Sequence, residues 1–262
     1  MEIVILGSGT SHGVPMIGCD CAVCRSDNPK NKRMRPSILV RNAGGAILVD
    51  TTPELRLQAL ANDVRRVDAV LMTHSHADHI FGMDDLRRFN DMTNAEIPVY
   101  GDEPTLADIR RIYAYIFKPT QAGGGKPRLT LHPLTPELEL FGLRIHSFHV
   151  LHGSLPVVAY RFDQPAGKSN PAVRAAYVTD VSHIPADVLP RLANLDLLLL
   201  DAVRFEPHPT HFGLYQALDI VAQLKPRQTL FTHLSHHFDH DSVNSQLPAD
   251  VALAYDGQVV TL

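Results

Sequence analysis

The sequence predicts an α/β (α+β) protein, an αββα sandwich in which two mixed β-sheets pack face to face with helices on the outer faces. Three observations carry that expectation. Short apolar runs alternate with amphipathic stretches in both halves of the chain. Hairpin signals interrupt this rhythm, so antiparallel pairs are mixed with βα units. No stretch rich in Ser, Gly or Pro divides the 262 residues cleanly, and residues 1–262 read as one domain.

Residues 2–6 read as a strand that enters a glycine-rich turn, Gly7-Ser8-Gly9-Thr10-Ser11-His12-Gly13. This turn lacks the Gly-Lys-Ser/Thr ending of a P-loop, so its glycines serve close backbone approach. Residues 37–41 and 46–50 flank Asn42-Ala43-Gly44-Gly45, a hairpin signal. A helix is expected over 54–63, with Thr52 as its N-cap and Pro53 at the first helical position. A strand over 69–73 runs into a polar loop at 74–79, followed by a helix over about 80–92. Residues 97–101 read as a strand and 104–117 as an amphipathic helix. Gly123-Gly124-Gly125, within 121–127, marks an arm or part of a lid. In the second half, strands over 138–140 and 143–149 meet as a hairpin at Phe141-Gly142. Strands at 157–162, 175–179 and 195–200 follow, then a helix over 213–224 and a strand over 228–232.

Composition narrows the function. No run approaches the about 18 uninterrupted apolar residues of a membrane span. Met1-Glu2 opens on an acidic residue and passes at once into a strand, unlike a secretory leader, so a cytoplasmic location is expected. The net charge of −4 argues against a broad nucleic-acid footprint. Lys30, Lys32, Arg33 and Arg35 cluster locally and read as a solvated loop. Neither nucleic acid nor a membrane is an expected partner.

The densest chemical signal is His74-Ser75-His76-Ala77-Asp78-His79, directly after the apolar run Ala69-Val70-Leu71-Met72-Thr73. Imidazole and carboxylate are the usual ligands of zinc, manganese or iron at neutral pH. From a loop leaving a strand end, His74 and His76 lie near one metal while Asp78 and His79 turn towards a second. Other polar residues also follow apolar strands: His149 and His152, Asp180, and His233. The three cysteines, Cys19, Cys21 and Cys24, cannot all pair within one chain. In a reducing compartment such a compact cluster is more often a metal site than a disulfide.

This order of residues resembles the metallo-β-lactamase superfamily, whose His-x-His-x-Asp-His signature stands here without substitution. The resemblance covers nearly the whole chain. It implies His74, His76 and His152 on one metal, Asp78, His79 and His233 on the second, and Asp180 bridging the two. His152 is preferred to His149 because Gly153 follows it. Asp180 stands where the β-lactamases proper commonly carry Cys, which argues against antibiotic hydrolysis. His76 stands where the flavo-diiron branch has an acidic residue, which argues against an oxidoreductase. Within the superfamily, residues 18–24 together with Thr232-His233-Leu234-Ser235-His236 resemble the PhnP-type phosphodiesterases of the carbon–phosphorus lyase pathway. That likeness implies a structural zinc held by Cys19, Cys21, Cys24 and His236, a closed tetrahedral set. It also implies catalytic roles for Asp78 and for His211, the latter as general acid near the leaving oxygen. His208 is a rival for that role, and His183 lines the pocket or sits at a helix start.

The activity so implied is hydrolysis of a small cyclic phosphodiester, such as phosphoribosyl 1,2-cyclic phosphate. Two divalent ions, zinc or manganese, about 3.5–4 Å apart would hold a bridging hydroxide. A homodimer is a further expectation from the resemblance. Two other readings compete: a tRNA 3′-processing-type endonuclease, which shares the first two motifs, and a non-catalytic metal-binding accessory protein of the same fold. The intact ligand set argues against the second.

Overall fold

The computed structural model describes residues 1–119, 125–167 and 171–262. The chain opens with strands β1 (Glu2–Gly7), β2 (Ser37–Asn42), β3 (Gly45–Val49), β4 (Ala69–Leu71), β5 (Ile97–Gly101) and β6 (Leu129–Pro133). There follow β7 (Glu137–Leu140), β8 (Leu143–His152), β9 (Leu155–Gln164), β10 (Val173–Val178), β11 (Leu197–Asp201), β12 (Thr229–Thr232), β13 (Val251–Leu253) and β14 (Val259–Thr261). Among the described residues they form two seven-stranded sheets, in the orders β14-β1-β2-β3-β4-β5-β6 and β13-β12-β11-β10-β9-β8-β7. Both sheets are mixed, as the sequence predicts. In the first, β14 to β3 pair antiparallel and β3 to β6 parallel. In the second, β7 to β10 pair antiparallel and β10 to β13 parallel.

The helices are α1 (Ala22–Arg25), α2 (Leu55–Ala61), α3 (Ala77–Ile80), α4 (Leu86–Thr93), α5 (Glu103–Ile112), α6 (Ala114–Phe117), α7 (Leu214–Leu224) and α8 (His240–Asn244). Alternation along the strands sorts the apolar side chains onto two faces. Between the sheets, Ile3, Ile5, Ile38 and Ile47 meet Val158, Tyr160, Tyr177 and Leu199. On the outer face of the first sheet, Val4, Leu48 and Val70 pack under Leu55, Ile80, Leu86 and Ile109. On the outer face of the second, Val178, Leu198 and Phe231 pack under Leu214, Ala217 and Val221. The continuous run Leu197–Leu200 is fully buried because β11 is a central parallel strand covered on both faces. Each such side chain contributes roughly 1.5–3 kcal/mol on burial.

Several boundaries differ from the sequence expectation, each for a local reason. The helix expected over 54–63 begins at Leu55, and Thr52 is not its cap: the Thr52 hydroxyl donates to Gln58 Oε1 instead (2.9 Å). The helix expected over about 80–92 is split, since α3 starts inside the polar loop at Ala77 and a 3₁₀ turn at Met83–Asp85 separates it from α4. The helix over 104–117 breaks at Tyr113. β8 extends to His152, so His149 lies within the strand rather than after it. Of the glycine-rich stretch, Gly123 and Gly124 fall outside the described residues, and Gly125 offers its carbonyl to Arg87 Nη1 (2.8 Å).

Candidate active site

Parallel neighbours end at the same edge, so β3, β4, β10, β11 and β12 deliver the residues that follow them to one side of the sandwich. The turn between β8 and β9 brings His152 to that side as well. At three of these ends the backbone leaves strand geometry through the left-handed region: Asp50 (φ 64°), Asp180 (φ 52°) and His233 (φ 59°). A residue there abandons the up-down alternation of the strand, and its side chain turns across the sheet edge.

Two ligand groups result. In the first, the ligand atoms of His74, His76 and His152 lie within 4.8 Å of one another; in the second, so do those of Asp78, His79, Asp180 and His233. Asp180 joins the two. Its Oδ1 is 3.3 Å from His233 Nε2, its Oδ2 is 3.3 Å from His79 Nε2, and it also groups with His152 and His211. His79 Nε2 lies 3.4 Å from Asp78 Oδ2. His76 stands exposed at the mouth, whereas His74, His79 and His233 are buried.

These side chains suit a divalent cation. The Nε2 atoms of His74, His79 and His233 are buried and make no hydrogen bond among the described residues. Orphaned buried nitrogens are costly unless something takes their lone pairs. Burial opposes protonation of His79, yet the Asp180, Asp78 and Asp50 carboxylates carry its imidazole well above the ordinary histidine value. Burial likewise opposes ionisation of Asp180, but His233 and His79 hold it well below the usual carboxylate range. Carboxylates gathered around one buried imidazole are the electrostatics of a pocket built for positive charge.

A second ring of groups orients the ligands, and here the sequence reading missed residues. Asp50 Oδ2 faces His79 Nδ1 at 2.8 Å and is itself held by the Thr73 hydroxyl (2.8 Å), while the Thr73 N–H donates to Oδ1 (2.8 Å). The Thr210 carbonyl accepts from His152 Nδ1 at 2.7 Å, leaving Nε2 for the first group. Asp201 Oδ2 faces His211 Nδ1 at 2.7 Å and accepts the Val181 N–H (2.9 Å). Burial pushes Asp201 up to about 8. His211 is buried and stacks on His233, with ring centroids 4.5 Å apart, and its ring is 4.5 Å from that of His152. Asp50 follows, and Asp201 ends, a wholly buried strand, the same signal that marks Asp180. Thr210 acts through its backbone, for which no side-chain signal exists.

His149 takes no part in either group: its side chain is 54% exposed and faces Asp102 Oδ2 at 3.3 Å. The side chain of His183 is exposed, while its carbonyl accepts from Leu151 N–H (2.9 Å). Away from the strand ends, the loop between β1 and β2 meets the segment after β12. There His236 Nδ1 is 3.1, 3.5 and 3.8 Å from the sulfurs of Cys19, Cys21 and Cys24. With zinc–sulfur bonds of about 2.3 Å and zinc–nitrogen bonds of about 2.0 Å, a tetrahedral ion needs separations of this size. Cys21 Sγ also accepts the Cys24 N–H (3.4 Å), which caps α1 and draws that thiol down to about 6, while burial raises Cys24 to about 11. The donor set fits a closed zinc site.

The chain matches the Beta-lactamase superfamily domain over residues 46–234. It is similar to the crystal structure of a new diphosphatase from the PhnP family, with 41% identity and a TM-score of 0.89 over 99% of this chain and 96% of that one. An octanoyltransferase of Porphyromonas gingivalis is 35% identical over 98% of this chain, and a ribonuclease Z of Bradyrhizobium sp. is 31% identical over 53% of it. The matched regions are 51% and 47% of those two proteins, so the chain spans about half the length of each.

Proposed function

The chain belongs to the beta-lactamase superfamily, and on that premise we propose that it is a hydrolase of the metallo-β-lactamase fold that cleaves small phosphodiesters. The observation that carries this reading is His211: a buried histidine tied to an acid rather than given up to a metal, set between the rings of His152 and His233. Likeness to a PhnP-family diphosphatase supports the same class of bond. One divalent ion would be held by His74, His76 and His152, a second by Asp78, His79 and His233, with Asp180 available to both, and a structural zinc by Cys19, Cys21, Cys24 and His236. Zinc and manganese both suit the mixed nitrogen and oxygen donors of the catalytic pair. When bound, such ions lower the pKa of a coordinated water and neutralise charge on phosphoryl oxygens.

The chain's own groups supply the rest. Asp50 and the Thr210 carbonyl each take an Nδ1–H and so fix the tautomers of His79 and His152. Asp201 takes the Nδ1–H of His211, which leaves Nε2 to hold the proton for the departing oxygen. Net charge −4 favours a small substrate over tRNA or another polyanion, because a basic excess is what holds a phosphate backbone. A small cyclic phosphate, such as phosphoribosyl 1,2-cyclic phosphate, fits the class. Among the described residues no helix is long and apolar enough to cross a membrane. The test is turnover of bis(p-nitrophenyl) phosphate and of 2′,3′-cyclic nucleotides by the purified protein with and without chelator. Chelator-sensitive turnover with about three metals per chain is expected; no metal-dependent turnover of either substrate overturns the reading.

A further inference from the structure

A second imidazole stands on the same short loop as His211, one ring further from the metal-ligand groups. The His208 and His211 ring centroids are 5.1 Å apart, and His211 in turn is 4.5 Å from both His152 and His233. The row therefore leads outward from the ligand groups, past the acid, to half-buried His208. This ring is held in one tautomer. Its Nδ1 accepts the Thr210 N–H (3.3 Å) and lies 3.2 Å from the Thr210 hydroxyl, which assigns the proton to Nε2, on the opposite edge of the ring. Among the described residues, that Nε2 has no partner.

The loop that carries the ring is braced on several sides. The Thr210 carbonyl takes His152 Nδ1, Phe212 N–H donates to Val181 O (2.7 Å), and Arg204 Nη2 donates to Pro207 O (2.8 Å). Gly153, at φ +63°, admits the loop closely: a Cβ there would stand 3.0 Å from Thr210 Cγ2. The Arg204 guanidinium, which holds the Glu206 and Pro207 carbonyls of this loop, brings a positive charge to the same segment. A fixed N–H donor on a loop that also carries an arginine, one ring beyond the acid that serves the leaving oxygen, is placed for an anion on the leaving group.

Resting on the phosphodiesterase reading, we propose that His208 is a substrate-binding residue whose Nε2–H grips a second phosphoryl group on the leaving side. The preferred substrates are then diphosphate diesters, or phosphodiesters with a phosphorylated leaving group, rather than simple aryl diesters. In the bond cleavage, a water oxygen bonds to the phosphorus as the bond from phosphorus to the bridging oxygen breaks, and that oxygen leaves with the proton from His211. The proton released by the water restores His211 in turnover, and His208 keeps its own proton throughout. Its role is binding.

The experiment compares P1,P2-di(adenosine-5′) diphosphate, whose leaving group is itself a phosphate, with bis(p-nitrophenyl) phosphate, whose leaving group carries none. On the wild-type protein and His208→Ala, kcat and KM are measured for both with the metals loaded. The variant is expected to lose about 10- to 100-fold in kcat/KM on the dinucleotide, chiefly through KM, the scale of one hydrogen bond to a charged group. Turnover of the aryl diester should stay within about threefold, and His208→Gln, which keeps an N–H donor, should recover most of the loss. Equal losses on both substrates would make His208 a brace for the loop and overturn the proposal. An unchanged ratio, or a wild-type protein that cleaves the aryl diester but not the dinucleotide, overturns it as well and leaves the phosphodiesterase reading standing. Failure to cleave either substrate removes that reading and this one together.

Discussion

Replacing Asp201 by Asn tests the proposed acid with little disturbance to anything else. One oxygen, Oδ2, accepts both the His211 Nδ1–H and the Val181 N–H, so the amide oxygen of Asn can keep both bonds. What disappears is the charge. Burial raises Asp201 to about 8 and also lowers His211, so at neutral pH the two hold one proton across their 2.7 Å bond. An anionic phosphoryl group beside His211 favours the form with the proton on the imidazole and the charge on Asp201. A hydrogen bond to a charged partner contributes about 1.5–3 kcal/mol against about 0.5–1.5 for a neutral one, a difference of about 1–2 kcal/mol. At about 1.4 kcal/mol per tenfold, the variant should lose roughly 5- to 30-fold in kcat/KM.

That loss should depend on the leaving group. Alkyl diesters, whose oxygen must be protonated as it departs, should show the full effect; p-nitrophenyl diesters, which leave as the stable anion, should show almost none. The assay is kcat/KM across a series of aryl and alkyl phosphodiesters, with metal content measured on each preparation because Asp201 Oδ1 also lies 3.9 Å from His233 Nδ1. His211→Ala should steepen the same dependence, and the double variant should be no worse than His211→Ala alone, since the two residues act as one unit. A loss uniform across the series, or one that adds to that of His211→Ala, would refute the argument.

Other consequences are as open to measurement. Because His233 is buried with both ring nitrogens free of hydrogen bonds among the described residues, His233→Ala should lower the metal content by about one ion per chain and activity by roughly 100-fold or more, whereas His149→Ala, on an exposed ring, should leave both within about threefold. Cys24→Ser should abolish the structural zinc and lower Tm by about 8–16 °C in a scanning calorimeter, taking roughly 4 kcal/mol as the scale of a lost metal site. Zinc uptake at the cysteine cluster should tighten as pH rises from 6.5 to 8.5, because Cys24, held at about 11, must give up a proton while Cys21, near 6, has already done so. Competition titrations with a zinc indicator should show at least a tenfold gain in affinity per pH unit; a flat profile would mean that Cys24 is not a ligand.

That the candidate ligands gather at one edge is legible in the sequence because metal chemistry uses few residue types and because strands announce their ends. His74, Asp180 and His233 each follow an apolar run, and a polar residue at that point has few structural reasons to be there. The same signal marks Asp50 and Asp201, but a residue that orients a ligand is recognised only once the ligand's other nitrogen is located. Thr210 contributes a carbonyl, which every residue has. Long-range pairing was equally hidden: β13 and β14 are three residues each, and β14 is a strand only because β1 lies beside it. The stretch after the polar loop reads as one helix because its apolar spacing continues across Gly82, where Thr52 O stands 2.0 Å from any Cβ and only a glycine lets the chain pass.

What the letters could not convey is how straight strands make a convergent site. Alternation would send Asp50, Asp180 and His233 to whichever face their position dictates, into one of the apolar layers or away from the others. The left-handed turn at each strand end cancels that rule at a cost of about 1–3 kcal/mol per residue, less for aspartate, which tolerates this region. Local hydrogen bonds offset it: Thr73 donates twice to Asp50, and the Thr179 hydroxyl donates to Asp180 at 2.7 Å. Each threonine thus precedes or faces the residue whose strain it relieves, and each sits at the end of a buried strand. His233 has no such bond to its ring among the described residues, and it is the strand-end residue whose side chain most depends on an external partner. Asp201 Oδ1, at 3.9 Å from His233 Nδ1, lies beyond hydrogen-bond reach, so a cation at Nε2 would be what offsets the left-handed backbone and buried ring, and the proposed metal would then be part of the folded edge as well as of the chemistry.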